Sequence, residues 1–194
     1  SQAYLCDIAN EQKLADSVYY YTQQTLKSLN KQSATLQNKS DLTEAGIRVT
    51  GYEVLAKICR INSDFEKNRG NLNRAMVYAL AAKSAADTIN RFDISSSKLL
   101  NVAQLIKEGV DPLKAIDNEK SLTDSLIHFN VFTLARLKES WDNSSIPDIV
   151  AKAIEKAHAA GSLPLEIEAN RFLAQYYADQ KNQALAATYF KSSL

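Results

Sequence analysis

The sequence predicts an all-α protein of antiparallel helical hairpins, and three observations carry that expectation. Glycine and proline are scarce, at five and three residues in 194, where an average chain gives the pair roughly 12% of its positions. Alanine and leucine, both strong helix formers, fill one position in four. Apolar residues recur at spacings of three and four along most of the chain, the period of a helix face. Loop-rich β architectures need Gly, Asn and Pro at their turns, so they are excluded, as are collagen-like and disulfide scaffolds. The length suits a single helical domain, 1–194, with 1–50 as an N-terminal helical cap and 51–194 as hairpins.

The elements follow in order. Between Asp7 and Gln37 there is no Gly or Pro, and Ala15, Val18, Thr22, Leu26, Leu29, Ser33 and Leu36 form one stripe of a long first helix. Asn38–Ser40 breaks it. Asp41 and Glu44 are spaced as a capping box for a second helix, whose stripe is Val54, Ile58, Ile61 and Phe65 and whose interior holds Gly46 and Gly51. Gly70 ends that helix. A third follows at once on Leu72, Ala75, Met76, Ala79 and Ala82, running to about Asn90. So short a turn makes the pair a helical hairpin.

Arg91–Ser97 reads as a polar connection. Leu99, Val102 and Ile106 mark the next helix, closed by Gly109 and barred from continuing by Pro112. Asp111–Lys120 reads as a loop with at most one helical turn. Ser121 and Asp124 restart a helix whose apolar residues, Leu122 to Leu137, spread over a wide arc and predict a central position. It ends near Trp141, in Asp142–Ser145. Pro147 and Asp148 suit the first turn of a further helix, stopped by Gly161. Pro164, Glu166 and Glu168 open another to about Gln180, and a last helix follows Lys181–Asn182 to Leu194.

Charge and chemistry narrow the function. The formal net charge is +1, so no overall attraction to nucleic acid or an anionic membrane is expected. No apolar run approaches the ~20 residues a membrane span needs. Ser1–Asn10 lacks the features of a signal peptide. With no initiator Met and a helical pattern still running at Leu194, the chain is expected to be a piece of a longer one. It is expected to be soluble, with a lean toward the cytoplasm. Cys6 and Cys59 match no metal or redox spacing and read as two buried thiols, with one disulfide as the alternative. Of the two histidines, His158 follows Glu155 at i+3 and His128 has no such acidic partner, so no metal site is expected. No nucleophile motif, phosphate loop or cofactor motif occurs. The chain therefore reads as no enzyme and as needing no cofactor.

The final segment carries the most specific pattern: Leu173-Ala174, Tyr177, Ala186 and Phe190. A large residue, a small neighbour, an aromatic one turn on and a small residue at the crossing of the second helix resemble the tetratricopeptide repeat. Asn170 and Ser193 stand where that family has its Trp-type and final Ala positions, and Lys181 replaces the usual turn Gly. Gly70, Leu72, Ala75, Ala79 and Ala82 fit the turn and second helix of an upstream copy. Leu134-Ala135 with Ala153, Ala157 and Ala160 resembles a third, degenerate hairpin. The resemblance implies a short tetratricopeptide-like solenoid; a non-repetitive helical bundle is the alternative.

What the resemblance implies for function is a non-catalytic protein–protein interaction module, such as the regulatory or sensory domain of a larger signalling protein. Partners would be a protein or peptide segment, with no nucleic acid and no membrane insertion, and a homodimer is open. The concave face of such folds is formed by the first helix of each hairpin. Its outward positions in the last hairpin are Glu168, Arg171, Gln175 and Asp179, which lack the family's Lys/Asn carboxylate clamp. The alternative is a small-molecule sensor with a pocket near Phe129, Phe132 and Trp141. Tyr19-Tyr20-Tyr21 must place at least one ring toward solvent, because successive helical residues point ~100° apart. Lys57, Arg60, Lys67, Arg69 and Arg74, interrupted by Asp64 and Glu66, read as a solvated helix face.

Overall fold

The computed structural model describes residues 2–11, 15–36, 43–127 and 145–194, and every regular element among them is helical. The elements are α1 (Gln2–Glu11), α2 (Ala15–Leu36), α3 (Thr43–Asn68), α4 (Leu72–Thr88), α5 (Phe92–Lys107), α6 (Pro112–Asn118) and α7 (Lys120–Ile127). After a gap in the description come α8 (Ile146–Ala159), α9 (Leu163–Asp179) and α10 (Gln183–Ser192).

One turn recurs five times. At Gly70, Asn90, Gly109, Gly161 and Lys181 the backbone takes a positive φ, between 56° and 91°. The next residue's N–H then donates to the carbonyl five positions back: Asn71 to Glu66, Arg91 to Ala86, Val110 to Leu105, Ser162 to Ala157 and Asn182 to Tyr177, at 2.8–3.0 Å. The left-handed residue's own N–H donates three back, as in Gly161 to His158 at 2.9 Å. This Schellman geometry satisfies carbonyls that a helix end otherwise leaves without partners. Because the next helix begins within three residues, most of these turns lay it back against its predecessor. α4 packs on α3, α5 on α4, α9 on α8 and α10 on α9; after Gly109 the chain instead returns to α4 through α6.

Several elements differ from expectation for identifiable reasons. The single first helix is two, α1 and α2, packed on one another and pinned where the Cys6 thiol donates to the Val18 carbonyl at 3.7 Å. Arg91–Ser97 is no connection, since α5 starts at Phe92. Two of its serines are interior groups: Ser95 donates to Asp87 at 2.6 Å, and Ser96 donates to the Ala153 carbonyl of α8 at 2.7 Å. Small hydroxyl side chains there let α8 come close without leaving a polar atom unpaired. Asp111–Lys120 contains α6, because the Asp111 carboxylate caps Leu113 and Lys114 and Pro112 presets the first turn. The last helix stops at Ser192. Asn38–Ser40, Asp41, Leu134-Ala135 and Asp142 lie outside the described residues. Ser145 is described, and it forms a capping box with Asp148 at the start of α8.

Two buried clusters form the core. The larger joins Val18 and Leu26 of α2, Leu55, Ile58, Ile61 and Phe65 of α3, and the alanine-rich α4. Small side chains on α4 let α3, α5 and α6 all approach it. Of the tyrosine triplet, Tyr20 is 58% exposed, whereas Tyr19 meets Phe65 edge-on and donates to the fully buried Glu66 at 2.9 Å. Asn71 donates to the other Glu66 oxygen at 2.7 Å. Burial and the Glu66 carboxylate raise the Tyr19 pKa. Asn62 donates to Thr22 at 2.8 Å, completing the tie between α2 and α3. Cys6 and Cys59 are buried thiols with no disulfide between them, and burial pushes the Cys59 thiol up. The second cluster joins Leu99, Leu100 and Ala103 of α5 to Ile149, Val150 and Ala153 of α8 and Ala169 and Leu173 of α9.

Lys181 stands in a left-handed conformation that costs a non-glycine residue roughly 1–2 kcal/mol. Lys181→Gly is expected to raise stability by about 1 kcal/mol in urea unfolding, and Gly161→Ala to lower it by a similar amount. No atom lies within 4 Å of a Cβ added at Gly161, so that loss reports the backbone alone. Unchanged stability in both variants would contradict the turn geometry.

Candidate interaction groove

The turns set helix direction, and ion pairs show which helices lie side by side. α3 and α5 each run antiparallel to α4, so they run parallel to one another. Their contacts advance in register: Arg91 meets Glu53 at 3.1 Å, and two to three turns on, Lys98 and Asn101 meet Asp64 at 2.8 and 3.1 Å. α9 continues the set, with Lys107 of α5 meeting Asp179 at 2.7 Å. α8 runs the other way behind them, where Lys156 reaches Asp87 of α4 at 2.6 Å and lies over the Phe92 ring. Helices α3, α5 and α9 thus share one face of the molecule.

On that face lies an open groove of about 550 Å³. Its apolar lining is Ala3 of α1, Val54 of α3, Ile94 of α5 and Leu165 of α9. Its charged lining is Glu53, Lys57, Arg60, Arg91 and Asp93. Arg91 grips Asp93 through two bonds of 3.0 Å while holding Glu53. The hydrogen bonds from Arg91 keep the Asp93 carboxyl below the usual carboxylate range. Exposed pairs of this kind add under about 1 kcal/mol each; their larger consequence is that both groove carboxylates are already occupied. Below the groove, Lys98 has a side chain only 2% exposed. Burial pulls its pKa down against the opposing pull of Asp64.

The sequence-expected residues are distributed differently. Glu168, Arg171, Gln175 and Asp179 are all exposed, but they do not share one site. Arg171 and Gln175 line a second open groove of about 450 Å³ between α9 and α10, with Ala174, Ala186 and the 57% exposed Phe190. Asp179 is drawn to Lys107, which, with Gln175, holds its carboxyl below the ordinary value. Glu168 lines neither groove. His158 is 84% exposed and sits 3.3 Å from Glu166. Among the described residues, no three of His, Cys, Asp and Glu gather as metal ligands. Phe129, Phe132, Trp141 and His128 lie outside the described residues, and no described helix is long and apolar enough to cross a membrane.

The basic run of α3 and α4 divides by face. Arg69 lies over Phe65, and Arg74 lies over Tyr19 with its Nε 3.4 Å from Glu66, all toward α2. Lys57 and Arg60 turn into the groove. Sequence reasoning missed the α5 contribution because a connection was expected at Arg91–Ser97. The signal available was the stripe Glu53, Lys57, Arg60 and Asp64, spaced by four, three and four. No protein family, curated protein or solved structure matches the chain.

Asp87 is the polar knot behind the groove, accepting from Ser95 and Lys156 and paired with Lys83 at 3.1 Å. Burial alone would raise its pKa, but these donors hold it below the ordinary carboxylate value. A depressed folded-state pKa gives stability that is present above the unfolded-state pKa and lost as pH falls through the folded one. Asp87→Asn is therefore expected to cost about 1–3 kcal/mol at pH 7. The deficit should shrink as unfolding is measured from about pH 5 to pH 2. A deficit independent of pH would contradict the role of the charge.

Proposed function

We propose that this chain is a short tetratricopeptide-like solenoid and a non-catalytic protein-interaction module, and that the α1/α3/α5/α9 groove receives a segment of a partner protein. The observation that carries this reading is that four helices distant in sequence each put an apolar residue into one open, charged channel. Its size falls in the range of peptide and small-ligand sites. An apolar floor with a polar rim is the usual anatomy of an interaction surface. Parallel helices α3, α5 and α9, backed by α4 and α8, also suit a hairpin array whose first helices line the binding face. The regulatory or sensory domain of a larger signalling protein is the role that fits such a module.

Selection of a random peptide library on the full chain tests the reading. Enriched peptides should bind the native chain and lose at least tenfold in affinity on Leu165→Glu. The double change Arg171→Glu with Gln175→Ala should leave them unaffected. Loss only in the double variant would move the site to the α9/α10 groove, and indifference to both would remove the proposal.

A further inference from the structure

We infer that the segment this groove takes is acidic, setting an Asp or Glu side chain against Arg60 while a neighbouring apolar side chain rests on Val54, Ile94 and Leu165. The inference deepens the preceding proposal and rests on it. It comes from how charge is distributed around the channel. The lining holds two carboxylates, and Arg60 and Arg91 are its guanidinium groups. Both carboxylates, Glu53 and Asp93, are engaged by the single guanidinium of Arg91. The next carboxylate along α3, Asp64, is taken by Lys98 and Asn101 from α5. Among the described residues, none brings a carboxylate within 4 Å of Arg60, which lies half-buried one turn from Lys57.

A half-buried guanidinium in a partly apolar channel favours a carboxylate more than one in open water does, because charge-assisted bonds strengthen as solvent is excluded. Planar bidentate pairing with a carboxylate is what arginine offers and lysine does not. A nucleic acid strand fits less well. Phosphate-tracking sites need a run of cations free of acids, and here Glu53 and Asp93 stand in the lining.

The test uses three fluorescent twelve-residue peptides with leucine at every third position, the remaining positions being Glu-rich, Gln-rich or Lys-rich, and a single-stranded oligonucleotide matching the first in charge. Binding to the full chain is read by anisotropy at low and high salt. The acidic peptide is expected to bind at least tenfold tighter than the other two peptides and to weaken with salt. Arg60→Glu should reverse the preference toward the Lys-rich peptide. Arg60→Gln should abolish the preference with an unchanged melting curve, which separates charge from misfolding. Equal binding of all three peptides, sensitive to Leu165→Glu, would overturn the acidic partner and leave the groove reading standing. Binding insensitive to Leu165→Glu would overturn the groove itself. Tighter binding of the oligonucleotide, lost in Arg60→Glu, would overturn the inference in favour of nucleic acid.

Discussion

The arrangement rests on a turn that spends one left-handed residue and two backbone hydrogen bonds, repeated at Gly70, Asn90, Gly109, Gly161 and Lys181. Four of these turns fold a helix back on its predecessor, so direction alternates from α3 to α5 and again from α8 to α10. The alternation puts α3 and α5 parallel on either side of α4's influence, and α9 returns to the same direction after α8. Nothing in the side chains alone would place Glu53 beside Arg91, or Asp179 beside Lys107. The turns set α3 parallel to α5 and α9 antiparallel to α8, the packing of α8 on α5 brings α9 level with α5, and the ion pairs mark the register.

α5 is the middle of the grouping. Its small buried serines let α8 pack behind it, its charged stripe meets α3 and α9 in front, and the residue just before its first turn is the arginine that occupies the groove's carboxylates. The chemistry of the groove therefore follows from packing. With Glu53, Asp93 and Asp64 each occupied, the guanidinium of Arg60 is left facing the channel. A partner's acidic side chain would complete a pattern that the chain repeats internally three times. The second cluster of apolar contacts joins α5, α8 and α9 behind that charged row.

Much of this was legible in the sequence. Helix ends at Gly70, Gly109 and Gly161, the buried stripe Ile58–Ile61–Phe65 and the partition of the tyrosine triplet all follow from helical period and glycine's freedom at positive φ. The turn at Asn90 was placed as a helix end but not as a left-handed residue, and a polar run after it concealed the start of α5. Ser95, Ser96 and Ser97 look like loop in a single sequence because serine competes for backbone bonds. Only the packing of α4 and of α8, the latter more than fifty residues later, explains why Ser95 and Ser96 are buried in a helix. The groove was hidden for the same reason. Its charges come from α3 and the start of α5 and its apolar residues from four helices, and each helix alone reads as a solvated face, whereas Arg171 and Gln175 were visible as a stripe on one.

The claim on which the account depends is that α5 lies between α3 and α9 in parallel register. Zero-length carbodiimide coupling, which joins only amines and carboxylates already in contact, followed by peptide mass spectrometry, tests it most directly. The account predicts a Lys107–Asp179 link between α5 and α9, together with Lys156–Asp87 between α8 and α4. A Lys107 link to a carboxylate of α3 in place of Asp179, or a Lys156 link to one in place of Asp87, would contradict the order of the helices and with it the groove.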